Sequence, residues 1–296
     1  MSDEVRAAVE ARRPVIALES TVIAHGLPRP QNLLTAQRLE EIVRAEGAIP
    51  ATVAILQGTL TVGLDAEQLR HVAEHGDVHK VSRRDLPVAV ARRWDGATTV
   101  ATTMFIAHAC GLRVFATGGI GGVHRGALPD ISADLPELAR TPMIVVCSGA
   151  KIVLDLAATR EWLETEGVTV VGYGCDEMPA FYTRRSGLAV DVRADAPADV
   201  ASLAQAQRSL GIESALVVTV PVPAADEVDE TVAHDALDDA LAEAGRTHVG
   251  GRELTPFLLA RMSERSGGAT LKANISLLEN NARNAARIAR ALTEAE

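Results

Sequence analysis

The chain has 296 residues, of which 47% are hydrophobic and 23% charged, and this excludes a disordered or fibrous protein while leaving room for one large core. A formal charge of −10 excludes broad electrostatic tracking of nucleic acid or of an anionic membrane surface, so an anionic ligand must be small and locally met. Three cysteines without paired spacing, no secretory leader pattern and no run of 18 apolar residues point to a soluble protein of a reducing compartment, expected to be cytoplasmic.

Read in chain order, the first predicted strand covers residues 14–23. Within it ALESTVIAHG places Glu19 in an otherwise apolar run that stops at His25 and Gly26. A carboxyl there is either paired with a buried cation to hold the fold or carries a raised pKa, which suits a group that gives and takes protons. A helix over 30–46 closed by Gly47, a strand over 51–57 and a helix over 66–74 follow. HVAEH, residues 71–75, matches the H-x-x-E-H zinc pattern with His79 beyond it, but Gly76 ends the helix at once and coincidence is the simpler reading. HKVSRRD then gathers Lys80, Arg83 and Arg84, which either hold a phosphate or form an ordinary solvated, acid-paired face.

A helix over 98–110 and a strand over 113–116 lead into FATGGIGGVHRG, residues 115–126. Such a loop lets backbone N–H groups approach a phosphate, with Thr117, His124 and Arg125 adding donors; glycines serving tight turns are the alternative. It is neither a dinucleotide fingerprint, since His124 stands at the third glycine position, nor a Walker A loop. DISADL presents Asp130, Ser132 and Asp134, which suit a hard divalent cation, although helix N-capping by Asp130 or Ser132 is the simpler local reading.

The strand over 143–147 ends in CSGAK, followed by a predicted helix over 152–166. Lys151 thus stands at a strand end beside a helix N-terminus, where burial and positive surroundings disfavour the ammonium form and leave an amine able to attack a carbonyl carbon. A solvated lysine opening a helix is the plainer reading. The S-x-x-K pattern over 148–151 lacks the S-D-N and K-T-G companions of acyl-transfer enzymes. A strand over 168–173, a helix over 197–210, a strand over 214–220, a hinge or loop at PVPAAD and two or three closing helices complete the chain. The last helix carries Asn274, Asn280, Asn281 and Asn284; asparagine is a poor helix former, so these amides face a ligand or a neighbour, or else solvent. Val- and Ile-rich strands alternating with amphipathic helices imply one α/β domain over residues 1–296, with ligands beyond the carboxyl ends of its strands.

ALESTVIAHGLPRPQN, HKVSRRDLP, GATTVATTM, FATGGIGGVHRG, DISADL, CSGAK, PAFYTRRSG, TPFLL and KANISLLENNA, in this order, resemble the pseudouridine-5′-phosphate glycosidase family, also called indigoidine synthase A-like. The resemblance implies a three-layer α/β/α fold with a largely parallel mixed sheet, assembled as a homotrimer, and a manganese-dependent enzyme. Its reaction would be reversible cleavage of the C–C glycosidic bond of pseudouridine 5′-phosphate to uracil and ribose 5-phosphate. It implies Lys151 as the imine-forming lysine and Glu19 as proton donor. Substrate contacts would come from Lys80, Val100, Thr117, His124, Ser132, Ala133, Asp134 and Asn274, with Asp130 on Mn²⁺. The loop over 126–130 is shorter than is usual in the family. From the residues alone, a sugar-phosphate aldolase or a sugar-phosphate sensor remains an alternative.

Overall fold

The structure, a computed structural model, describes residues 1–126 and 130–295. In chain order its elements are α1 (Asp3–Glu10), β1 (Val15–Leu18), α2 (Gln31–Ala45), β2 (Ile49–Leu56), β3 (Thr59–Val62), α3 (Ala66–Glu74), β4 (His79–Val81), α4 (Leu86–Ala91), β5 (Gly96–Thr98), α5 (Val100–Ala109), β6 (Val114–Ala116) and β7 (Val123–His124). There follow α6 (Asp134–Leu138), β8 (Ile144–Cys147), β9 (Leu154–Asp155), α7 (Leu156–Thr165), β10 (Thr169–Tyr173), β11 (Val192–Ala194), α8 (Pro197–Ser209), β12 (Leu216–Thr219), α9 (Glu230–Thr247), α10 (Leu254–Arg265) and α11 (Ala269–Glu294).

Ten strands form one sheet in the order β11-β10-β12-β8-β6-β1-β2-β5-β4, with β3 also on β2. Every pairing from β11 to β2 is parallel, whereas β2 meets β3 and β5 antiparallel. The strands β1, β8 and β12 are aliphatic runs buried at every position, so helices cover both faces of the sheet. On one side α11 packs on β1, β6 and β8 together with α2 and α8; α5 packs on β1, β2 and β5 and carries α6. The expected three-layer α/β/α fold with a largely parallel mixed sheet is therefore present, around a large core and a second, smaller cluster that includes Ile23, Ala36, Leu69 and Val72.

Two expectations are corrected. The strand over 14–23 ends at Leu18, and Val22–Gly26 coils into a π-helical turn. Ser20 makes the break. Its hydroxyl donates to the Val53 carbonyl at 2.6 Å and accepts the Thr98 N–H at 2.8 Å, while its own carbonyl accepts the N–H groups of Ile23 and Ala24, each at 3.0 Å. Asn32 then fastens the turn by donating to the Ile23 carbonyl at 2.9 Å. The helix expected over 152–166 begins at Leu156, because residues 154–155 pair with β7 and Asp155 caps the helix by accepting the Ala158 N–H at 2.9 Å. Lys151 does not open a helix, and the dipole argument made for it falls.

The four asparagines of α11 divide by task. Asn274 is buried and faces the cavity described below; Asn284 donates to the Asn280 carbonyl at 2.8 Å, and Asn280 to that of Pro221 at 3.3 Å. Asn281 is fully buried and donates to the Thr117 carbonyl at 2.8 Å and to the Ser148 hydroxyl at 3.1 Å. One amide thus ties the helix to the loops leaving two neighbouring strands. The PVPAAD segment proves to be a strand-to-helix loop held by Asp226, which pairs with Lys272 at 2.9 Å and accepts from Ser276 at 2.7 Å. Replacing Asn281 with leucine leaves buried acceptors on both loops, so Asn281→Leu is expected to lower stability by about 2 kcal/mol; urea unfolding with an unchanged m-value but a lower midpoint checks it.

Candidate active site

Three adjacent strands, β1, β6 and β8, deliver Glu19, Thr117 and Lys151 to one end of the sheet. From β1 the chain winds through α2 to β2 on one flank, and later returns as β6 on the other. The crevice beyond β1 and β6 is therefore the topological switch point, where open α/β sheets bind their ligands. The loops after β6 and β8 continue the strand ladder. Ser148 N–H donates to the Gly118 carbonyl at 2.9 Å, Ile120 N–H to that of Gly149 at 3.1 Å, and Lys151 N–H to that of Ile120 at 3.2 Å. This register sets Lys151 at the rim of the crevice. Gly149 permits it: its φ is +82°, and a Cβ there would stand 2.1 Å from the Pro179 carbonyl oxygen.

A cavity of about 540 Å³ fills the crevice. Glu19, Lys80, Val100, His124 and Lys151 line it, as do Asp130, Ser132, Ala133, Asp134 and Asn274. Ten of the eleven residues singled out from the sequence thus converge on one space. Thr117 is the exception: it is buried, and its hydroxyl donates to Oε1 of Glu19 instead of facing the cavity. As a direct phosphate contact Thr117 is not supported by this geometry; it orients the acid.

The carboxyl of Glu19 is buried, with 7% of its surface exposed, and burial raises its pKa above the ordinary glutamate value of 4.5. The charge of Lys151 and the Thr117 hydrogen bond oppose that rise. Burial likewise lowers the pKa of Lys80, and the charge of Lys151 lowers it further, against the pull of Asp134 and Glu19. Two amines and two carboxyls therefore share one partly dry space and influence one another.

Asp134 is more constrained than its sequence suggests. Its Oδ1 accepts the Ala101 N–H at 2.9 Å and its Oδ2 the Gly121 N–H at 2.8 Å, so it pins the glycine loop to the start of α5. A Cβ on Gly121 would lie 2.2 Å from the Ser132 hydroxyl oxygen. Within the loop, Ile120, Gly121, Val123 and His124 all donate their N–H groups to internal partners. Four of its N–H groups are thus committed within the protein, and its glycines make room for side chains: Phe181 at Gly119, Ser132 and Asp134 at Gly121, and Thr159 at Gly122. Of HKVSRRD, Lys80 and Arg84 line the cavity, while Arg83 is structural: it donates to the fully buried Glu137 at 2.6 Å and lies over Phe105.

Asp130 is exposed on the cavity rim; residues 127–129, which make up most of the shortened loop, lie outside the described residues. With both oxygens of Asp134 committed to amides, the carboxylate donors left at this rim fit a hard cation that keeps most of its waters. The H-x-x-E-H pattern does gather something: His71, His75 and Asp95 hold ligand atoms within 4.8 Å of one another, and His71 Nε2 lies 2.7 Å from Asp95 Oδ2. None of these lines the cavity, and His79 stacks on Trp94. The sequence reading missed the roles of Thr21, His25, Phe181 and the first turns of α10, where Thr255, Pro256 and Leu259 close the cavity. Only the TPFLL motif had marked the last of these.

A buried carboxyl with a raised pKa beside amines at a switch point is the arrangement of an α/β enzyme that moves protons at a bound small molecule. The chain belongs to the indigoidine synthase A-like family of enzymes: the profile described as "Indigoidine synthase A like protein" matches residues 4–291. It is 52% identical over 292 residues to the pseudouridine-5′-phosphate glycosidase of Hahella chejuensis, covering 98% of this chain and 96% of that protein. It is 49% identical to that of Geobacillus kaustophilus, covering 99% and 98%. Among solved structures it is similar to the prealnumycin C-glycosynthase AlnA in complex with ribulose 5-phosphate, with a TM-score of 0.91, 39% identity and 99% and 96% of the two chains covered. An indigoidine synthase A-like protein from Thermotoga maritima superposes with a TM-score of 0.88 at 38% identity, covering 95% and 93%.

Because Glu19 titrates above 4.5 when folded, its unfolded form releases its proton first as pH rises, and stability present below pH 4.5 is lost progressively above it. Glu19→Gln lacks that loss, so its melting temperature is expected to gain on the wild type as pH rises from 4.5 towards neutrality. Thermal melts across that range check it. Gly149→Ala is expected to cost about 2 kcal/mol or more from its left-handed backbone and the Pro179 clash; thermal unfolding reads it directly.

Proposed function

We propose that this enzyme reversibly cleaves the C–C glycosidic bond of pseudouridine 5′-phosphate to uracil and ribose 5-phosphate, using Lys151 as nucleophile and Glu19 as acid and base. The observation that carries this reading is the placement of Glu19 and Lys151 on one switch-point cavity, close enough for the lysine charge to act on the buried acid. The names of the relatives and the ribulose 5-phosphate bound by the related C-glycosynthase support the substrate class.

A C–C bond to C1′ offers no heteroatom on the base side to protonate, so two-carboxylate glycosidase chemistry does not suffice. The chain's own residues supply another route. Glu19 gives its proton to the ring oxygen as the C1′–O4′ bond breaks, and the Lys151 amine, having given up one proton to water, forms a bond to C1′. Glu19, now a carboxylate, takes a proton from the newly bonded lysine nitrogen and gives it to uracil C5. The C1′–C5 bond breaks as the lysine nitrogen lone pair forms C1′=N, and water hydrolyses this iminium to open-chain ribose 5-phosphate, freeing the amine. Lys80 and Arg84 hold the phosphate end, and that remote binding orients the sugar. His124, Val100, Asn274 and residues 132–134 shape the remaining wall.

Asp130 would hold Mn²⁺ among waters on the rim, where the ion would neutralise substrate charge. We further infer a cytoplasmic enzyme assembled as a homotrimer.

Incubating the protein with uracil and ribose 5-phosphate is expected to consume uracil absorbance, more slowly after EDTA and restored by Mn²⁺. Lys151→Ala is expected to lower kcat by about three orders of magnitude or more, whereas Lys80→Ala raises KM for ribose 5-phosphate roughly tenfold with kcat within a few-fold. Equal effects of the two substitutions on both constants contradict the assigned roles.

A further inference from the structure

The π-helical turn after Glu19 carries two polar atoms that the reaction as described does not use. Among the described residues, three buried side-chain polar atoms lack any hydrogen-bond partner: Thr21 Oγ1, His25 Nε2 and Arg160 Nη1. The first two stand four residues apart on residues that line the same cavity; Arg160 does not line it. A buried polar atom without a partner is destabilising, so two of them in one binding space call for a ligand that satisfies both. The turn is itself costly and rare, and such turns concentrate at functional sites. Asn32 holds it from outside through the Ile23 and Ala73 carbonyls, each at 2.9 Å, so the turn is braced in place without ligand.

The polarity of the two atoms says what they recognise. The one partnered ring nitrogen of His25 bonds the Val78 backbone in a way that favours the protonated ring, as an N–H donated to a carbonyl does. Burial, and after it the charge of Lys80, lower the pKa of His25 below 6.5, so at neutral pH the ring is uncharged. Nε2 then holds a lone pair and accepts. A lone pair repels phosphate oxygens and seeks an N–H. The Thr21 hydroxyl beside it donates or accepts.

We propose that Thr21 Oγ1 and His25 Nε2 form the subsite for the pyrimidine base, His25 accepting a ring N–H and Thr21 donating to the neighbouring carbonyl. This rests on the proposed pseudouridine 5′-phosphate chemistry and deepens it. The pair selects for an N–H/C=O edge, which cytosine cannot present at its N3 and C4 positions, since it offers there an acceptor and an amino group.

In the coupling direction the two substrates can be varied independently, with ribose 5-phosphate saturating and uracil varied, and then the reverse. Thr21→Val and His25→Phe are each expected to raise KM for uracil roughly tenfold, the worth of one buried hydrogen bond, while KM for ribose 5-phosphate stays within about twofold. His25→Gln, whose amide oxygen can stand in for Nε2, is expected to recover most of the loss. Thr21→Val removes an unpartnered atom without changing shape, so its ligand-free melting temperature should equal or exceed that of the wild type, and it remains informative if the His25 variants fold poorly. Unchanged uracil KM in Thr21→Val and His25→Phe, equal rises for both substrates, or a rise for ribose 5-phosphate alone each overturns the subsite while leaving the reaction intact. A wild-type protein that does not couple uracil to ribose 5-phosphate overturns the proposed function and the subsite together.

Discussion

The architecture depends on keeping one carboxyl dry between two strands. Glu19 follows β1 directly, and the Thr117 hydroxyl after β6 donates to it, so the hydrogen bond spans the switch point of the sheet. Burial favours the protonated acid, and the charge of Lys151 beyond β8 opposes this. In the proposed reaction a carboxyl under those opposing influences both gives and takes a proton. Three strand ends thus meet as the proton-transfer device of the proposed reaction because the sheet fixes their order.

Much of the surrounding sequence serves to hold that device still. Gly149 admits the Pro179 carbonyl, and Gly121 the Ser132 and Asp134 side chains, where any side chain of their own would intrude. Asp134 clamps the glycine loop to α5, and Asn281 fastens the same loop and the CSGAK turn to α11. Glu137 anchors the basic segment through Arg83 and also accepts from Thr141 at 2.7 Å. The proposed attack of Lys151 on one carbon atom gains from this immobility, since small displacements of reacting groups are costly.

The long buried strands and the amphipathic helices were legible from apolar periodicity, and the layered α/β class followed from their alternation. The convergence of Glu19, Lys80, Lys151, Asp130 and Asn274 was legible only through the ordered motifs of the family resemblance; spacing alone does not bring residues 19 and 274 together. What stayed hidden has physical causes. Ser20 ends β1 through hydrogen bonds to Val53 and Thr98, partners remote in sequence, so the apolar run that follows reads as strand although it turns as a π-helix. Leu154 and Asp155 look helical, yet they pair with β7 and displace the helix start from Lys151. Thr117 and Asp134 carry polar side chains whose partners lie across the fold, and no local pattern distinguishes a hydroxyl aimed at a ligand from one aimed at an acid. The three short strands beyond β2 at the sheet's edge, β3, β4 and β5, are too short to show a period of two.

The central claim is that Lys151 bonds covalently to the pentose carbon while Glu19 moves protons beside it. Reduction with borohydride during turnover of pseudouridine 5′-phosphate, followed by peptide mass analysis, tests this most directly. The account predicts a ribose-phosphate adduct fixed to the peptide containing Lys151, with loss of activity in proportion to labelling. Full retention of activity with an unmodified Lys151 peptide, under conditions where the substrate is being consumed, contradicts it.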